Sequence, residues 1–204
     1  MQRTSLQKCL LSVGFGGILF ISTFVLLGIA APGYDSIRNT ISALEFTPLG
    51  VAQRANFFVF GLLLCCFAAG LRQELSQGRG AVLIPFFQAL GGIGVIGDAI
   101  FIYEPLHLIC DLIAFNSSLI VLFLFGWRFR REAEWKGWSA FSIATAILMM
   151  LFLTAFGFTN HPGGPAGVME KLASGTRTLW SVLFVGRLLS GKSLGTDPVT
   201  PRPT

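Results

Sequence analysis

Residues 9–31 read CLLSVGFGGILFISTFVLLGIAA, an unbroken run without a charged side chain. As a helix at 1.5 Å per residue this run spans about 35 Å, enough to cross the ~30 Å hydrocarbon core of a bilayer. Arg3 and Lys8 precede it, and Pro32-Gly33 follows. A cleaved secretory signal is the rival reading, because Ala30-Ala31 resembles a processing site. The run is longer than the ~7–15 apolar residues of a signal core, so a retained transmembrane helix is expected.

Five further apolar blocks follow, at about 55–71, 81–103, 108–127, 139–159 and 172–189, each bounded by charged or turn residues. The second and sixth are near the short end of what crosses a bilayer. The composition agrees: 53% of residues are apolar and 12% charged, against ~25% charged in an ordinary soluble domain. A soluble chain of 204 residues has too much surface for its volume to hide that apolar area. The expected fold is all-α, a polytopic membrane protein forming one six-transmembrane-helix bundle over residues 1–190. The Pro- and Thr-rich segment 191–204 is expected to be a disordered cytoplasmic tail.

Basic residues set the orientation. With the N-terminus inside, the inner segments hold Arg3, Lys8, Arg72, Arg79, Arg128, Arg130, Arg131, Lys136, Arg187, Lys192 and Arg202; the outer segments hold Arg38, Arg54, Lys171 and Arg177. Eleven against four is a positive-inside bias, which puts both termini in the cytoplasm of a multi-pass cell-membrane protein. The net charge of +5 comes from these short runs and not from a continuous basic face, which argues against nucleic acid as a partner. Membrane lipid is the expected partner, with a homo-oligomer or a second membrane protein also open. Cys9, Cys65, Cys66 and Cys110 form neither a disulfide framework nor a paired-cysteine metal motif and read as buried small hydrophobes.

The first outer loop, residues 32–54, is the longest. Pro32-Gly33 makes a turn, and Asp35 or Ser36 caps a short helix. At helical spacing Ile37, Ile41 and Leu44 share one face, with Arg38, Ser42 and Glu45 off it, as suits a helix lying on the outer membrane surface. These loop residues carry a resemblance. Pro32-Gly33-Tyr34, Arg38, Thr40-Ile41-Ser42 and Leu44 resemble the first-loop signature of the domain-of-unknown-function family 998, a group of bacterial and archaeal membrane proteins. Asp98 late in the third block, His107-Leu108 opening the fourth and Leu179-Trp180 in the last extend the similarity. The resemblance implies a compact six-helix bundle and carries over no catalytic residue.

Gly92-Ile93-Gly94-Val95-Ile96-Gly97 matches the dinucleotide-binding pattern without the strand it needs, and reads instead as close helix packing. Asn116-Ser117-Ser118 is a formal glycosylation acceptor inside a span, where its polar groups are expected to bond neighbouring helices.

Ionisable residues in apolar blocks are the strongest functional signal, since charge at membrane depth is costly unless paired or hydrated. Asp98 lies five residues before Tyr103, about 7–8 Å from the outer end. His107 and Asp111, four apart, share a helix face. With Arg38, Glu104, His161, Glu170 and Arg177 they form an expected polar cluster in the outer half, and the inner half shows no comparable set. Three readings stay open. Arg177 neutralises Asp98 or Asp111 in a structural network; or the cluster is an outward-facing pocket for a lipid headgroup or small solute. The third is an intramembrane metal-dependent hydrolase using Asp98, His107, Asp111 and His161 as ligands, with Glu104 or Glu170 as general base. The leading expectation is a binding or accessory protein without metal or other cofactor. Six spans without an internal repeat would transport a solute only as an oligomer.

Overall fold

The computed structural model describes residues 3–191 and 194. Six long helices run through it: α1 (Ser5–Ala30), α2 (Gly50–Glu74), α3 (Leu83–Ile100), α4 (Leu106–Phe129), α5 (Trp138–Thr159) and α6 (Ala166–Leu189). No strand occurs among the described residues. The helices α1 to α5 are each long and apolar enough to cross a membrane. Helix α6 is 24 residues long and carries Glu170, Lys171, Arg177 and Arg187.

Sequence neighbours pack side by side from α2 to α6, and α6 closes the ring against α1. Helix α1 begins with the Thr4 hydroxyl accepting the Gln7 N–H at 3.2 Å, a side-chain N-cap. It tightens into a 3-10 turn at Val13–Phe15 before continuing. Glycines set the tightest approaches. A side chain on Gly61 would meet the Gly92 carbonyl at 2.6 Å, and one on Gly94 would meet the Cys110 carbonyl at 2.8 Å. The glycine run of α3 therefore works as packing surface on two sides.

Several helix ends differ from their expected places. Helix α2 passes Arg54 and Arg72 at both ends, and α3 is shorter than 81–103. Helix α6 starts at Ala166 instead of 172, which takes Glu170 and Lys171 out of the loop and into the helix. The reason is local: the first loop supplies acceptors for the new N-terminus. Gly167 N–H donates to the Arg38 carbonyl at 3.2 Å and Val168 N–H to that of Ile37 at 3.0 Å, satisfying donors that a helix start otherwise leaves orphaned.

The loop itself is a series of turns followed by a 3-10 helix, Ser42–Phe46, rather than an amphipathic α-helix. Gly33 holds φ at +77°, which a side chain would resist. Tyr34 Oη donates to the Thr40 carbonyl at 2.9 Å, and Thr40 Oγ1 accepts the Ala43 N–H at 3.1 Å. Burial raises the Tyr34 pKa, so the phenol stays a donor. Ile41 and Leu44 are buried, but Ile37 is 61% exposed, because the helical period that aligned the three does not exist here.

Two cores result. Phe125, Phe129, Trp135, Trp180 and Phe184 stack towards the end of the bundle that holds Arg3 and Leu188. Phe20, Phe24, Ile41, Leu44, Phe57 and Val95 fill the first-loop end. The cysteines are not all buried as expected: Cys9 and Cys66 are exposed, Cys65 and Cys110 partly so, and all four are free. Where lipid is the solvent, a thiol facing outward is no anomaly. The expectation for residues 191–204 lies outside the described residues apart from Gly191 and Leu194.

Candidate functional site

Asp98 follows Gly97 in the last turn of α3, where the glycine run brings α3 closest to α4. That approach sets its carboxylate beside the first turns of α4, which carry His107 and Asp111 one turn apart. One donor atom from each of Asp98, His107 and Asp111 lies within 4.8 Å of the others. His107 Nε2 is 3.7 Å from Asp111 Oδ2. The other ring nitrogen, Nδ1, is 2.9 Å from the Phe101 carbonyl. A carbonyl only accepts, so Nδ1 carries the proton, and in the neutral ring Nε2 presents its lone pair to the carboxylates. Neither Nε2 nor Asp98 Oδ1 has a hydrogen-bond partner, although His107 is 6% and Asp98 2% exposed.

A fourth acid belongs here. Glu45, from the 3-10 turn of the first loop, is buried with both carboxylate oxygens unpartnered. Burial pushes its pKa up to about 7, with His107 and Arg54 pulling it down and Asp111 adding to the rise. The sequence reading placed Glu45 on the loop's polar side. In the structure it is buried together with Leu44 in the 3-10 turn Ser42–Phe46. Arg54 reaches over the same end, but its Nε donates to the Ala99 carbonyl at 3.0 Å.

Below the cluster lies a cavity of about 90 Å³ between the two cores, with Asp98, Asp111, Glu170 and Arg177 among its walls. Phe57, Phe60 and Leu64 give it an apolar side. Glu170, buried, accepts the Ile41 N–H at 2.7 Å and so ties the loop to α6. Lys171 Nζ donates to the Asn39 carbonyl at 2.7 Å and lies over the Tyr34 ring.

The expected counter-ion role of Arg177 is corrected. Its guanidinium donates to Gln88 Oε1 at 2.9 Å and sits 5.1 Å from the centre of the Trp180 ring, and it forms no ion pair with Asp98 or Asp111 among the described residues. An amide on α3 and an aromatic face one turn along α6 outcompete the carboxylates for it. Three other candidates stand apart from the cluster. Arg38 is exposed and 3.7 Å from Asp35. Glu104 Oε2 accepts the Leu108 N–H at 3.2 Å, at the start of α4. His161 is exposed, with Nδ1 3.3 Å from its neighbouring Pro162 carbonyl, so it is not a fourth ligand beside His107.

The opposite end also departs from expectation, since it does hold an ionic set. Arg3 grips both oxygens of Glu74 at 2.8 and 2.6 Å. Arg128 Nε meets Glu132 Oε1 at 2.7 Å, and its other nitrogens reach the carbonyls of Gln77, Arg79 and Leu194. These pairs formed where the sequence showed only loop charges.

Apolar helices of spanning length around a buried polar site define a polytopic membrane protein. Residues 15–187 match the model of the family described as Protein of unknown function (DUF998). The chain belongs to that family. No curated protein and no solved structure matches it.

Proposed function

We propose that this protein is a six-span cell-membrane protein that binds an amphiphile, a lipid headgroup with part of its chain, in the cavity at its outward first-loop end. The eleven-to-four distribution of basic residues supports both termini in the cytoplasm. Helix α6 is the sixth span: Trp180, Phe184 and Leu188 are buried, Leu179 and Leu183 face outward, Arg177 bonds Gln88 inside the bundle, and Arg187 reaches the Glu134 carbonyl in the loop at its end. Its charges are held by protein and not offered to lipid, which is how spans with ionisable residues are tolerated.

One observation carries the reading: the cavity joins an apolar wall to carboxylates and a buried guanidinium whose Nε has no partner. Small-molecule sites have this make-up, mostly apolar with a few placed polar groups. The guanidinium suits a phosphate or carboxylate, and the carboxylates suit an amine, so a zwitterionic headgroup fits both. Protein purified in mild detergent with an equimolar mixture of zwitterionic and neutral lipids, then examined by native mass spectrometry, should retain the zwitterionic one. Ser174→Phe, which fills the cavity from α6, should cut retention at least fivefold while leaving thermal stability near wild type. Equal retention by wild type and this variant would overturn the pocket.

A second reading, a metal-dependent hydrolase, draws on a different observation. His107 has one nitrogen fixed to a carbonyl and the other aimed at two carboxylates on the cavity wall. It requires the metal.

A further inference from the structure

We infer that Asp98, His107 and Asp111 form a binding site for one divalent metal ion of the zinc type. The inference rests on the cluster and not on the ligand proposed for the cavity. Two acids alone would not carry it, because buried carboxylates can share a proton. The imidazole carries it. His107 is more than nine-tenths buried and lacks any partner at Nε2. Its Nδ1–H is committed to the Phe101 carbonyl at 2.9 Å. Metal-bound histidines almost always donate their second nitrogen to such an acceptor, which fixes the tautomer and aims the lone pair.

The distances suit a site that closes around an ion. Metal–ligand bonds of about 2.0–2.2 Å put donor atoms about 3.4 Å apart in a tetrahedral shell. His107 Nε2 and Asp111 Oδ2 are at 3.7 Å, and the widest of the three separations is no more than 4.8 Å. Asp98 Oδ1 has no hydrogen-bond partner to give up on turning towards an ion. Charge agrees as well. With both carboxylates ionised and the imidazole neutral the three ligands carry −2, which a divalent cation cancels, and neither nearby guanidinium is spent on them: Arg54 bonds the Ala99 carbonyl and Arg177 bonds Gln88. One nitrogen and two oxygens suit zinc or another first-row divalent ion better than calcium, which takes six or more oxygens. Three protein ligands are the number seen in catalytic zinc sites, which keep a further position open.

The test uses the full chain in detergent, stripped with a chelator and titrated with zinc chloride alone, with manganese chloride as the comparison. Binding of one zinc per chain, tighter than manganese, is the expected result. His107→Gln and Asp111→Asn should each weaken binding at least tenfold, and His161→Ala should leave it unchanged. Cobalt in place of zinc should give the visible absorption of a low-coordinate N/O site in wild type and not in His107→Gln. If one variant does not fold, the other and the wild-type stoichiometry decide. Less than a tenth of a zinc per chain, or binding indifferent to both substitutions, would overturn the site. Metal bound without lipid would leave this site standing and remove the cavity's proposed ligand; lipid without metal would do the reverse.

Discussion

The two ends of the bundle treat ionisable groups in opposite ways. At the end that holds Arg3, the acids have cations. Glu74 accepts from both arms of Arg3, from Gln7 at 3.0 Å and from the Leu194 N–H at 3.3 Å. Arg128 is held by Glu132 and by carbonyls from two segments. At the first-loop end, apart from the exposed Arg38–Asp35 pair, the cations bond carbonyls, an amide and aromatic faces, while Glu45 and Asp98 keep unpartnered oxygens in the interior. Charge at the first end completes the fold. Charge at the second is left over by the fold, and leftover buried charge needs a reason outside packing.

Breaking the structural end should give the largest effect. Glu74→Ala leaves the Arg3 guanidinium part-buried against the Leu188 carbonyl with its carboxylate gone. Removing one partner of a buried pair costs about 3–5 kcal/mol. Since ~1 kcal/mol shifts the melting temperature of a 150–250-residue domain by about 2–4 °C, differential scanning fluorimetry should record a fall of roughly 6–20 °C. A fall under about 2 °C would mean that this end is not held by its ion pairs, and the contrast would collapse.

The equivalent change at the other end should act with the opposite sign. Asp98→Asn keeps the shape and removes one buried carboxyl from beside Asp111 and Glu45, where it forms no ion pair among the described residues. In chelator-treated protein the variant should melt at or above wild type, by up to about 1 kcal/mol or ~2–4 °C. Loss of more than that would show that Asp98 is a structural partner after all and belongs with Glu74. In protein loaded with zinc the order should reverse, because the variant lacks a ligand.

How much of this was legible follows from which rule each residue obeys. Apolar length alone located α1 to α5, since a bilayer demands it. The positions of Asp98, His107 and Asp111 followed from counting along helices, and the glycine run foretold the close approach that brings them together. Arg177 was misjudged because sequence shows charge and not competition; Gln88 and Trp180, a helix or less away, were silent. The start of α6 was missed because its cap is made by the Ile37 and Arg38 carbonyls, more than a hundred residues distant. Glu45 was hidden by its charge: a carboxylate in an outer loop reads as solvent-facing, and its burial beside Leu44 comes from the fold of the loop over the bundle. The ion pairs of the Arg3 end join residues such as Arg3 and Glu74, 71 positions apart, which no local pattern announces.

Glu45 gives the finest test of the contrast. Its carboxyl is buried near His107, Arg54, Asp98 and Asp111, and its pKa stands at about 7 against an ordinary 4.5. The folded protein therefore keeps the Glu45 proton until about pH 7, while the unfolded chain releases it near pH 4.5. Between those values the folded state binds more protons, so its stability falls as the pH rises. The contribution is fully present below the lower value and is lost through the upper one. Glu45→Gln, neutral at every pH, should remove that slope. Melting curves of chelator-treated wild type between pH 4.5 and 7.5 should decline relative to Glu45→Gln, with the two closest at the acid end and separated by a few degrees, roughly 2–4 °C, at the alkaline end. A carboxyl stabilised in its charged form by a cation would give the reverse, with the variant losing ground as the pH rises. Parallel curves would mean that Glu45 is hydrated, and the unpaired acids of the first-loop end would then number one fewer.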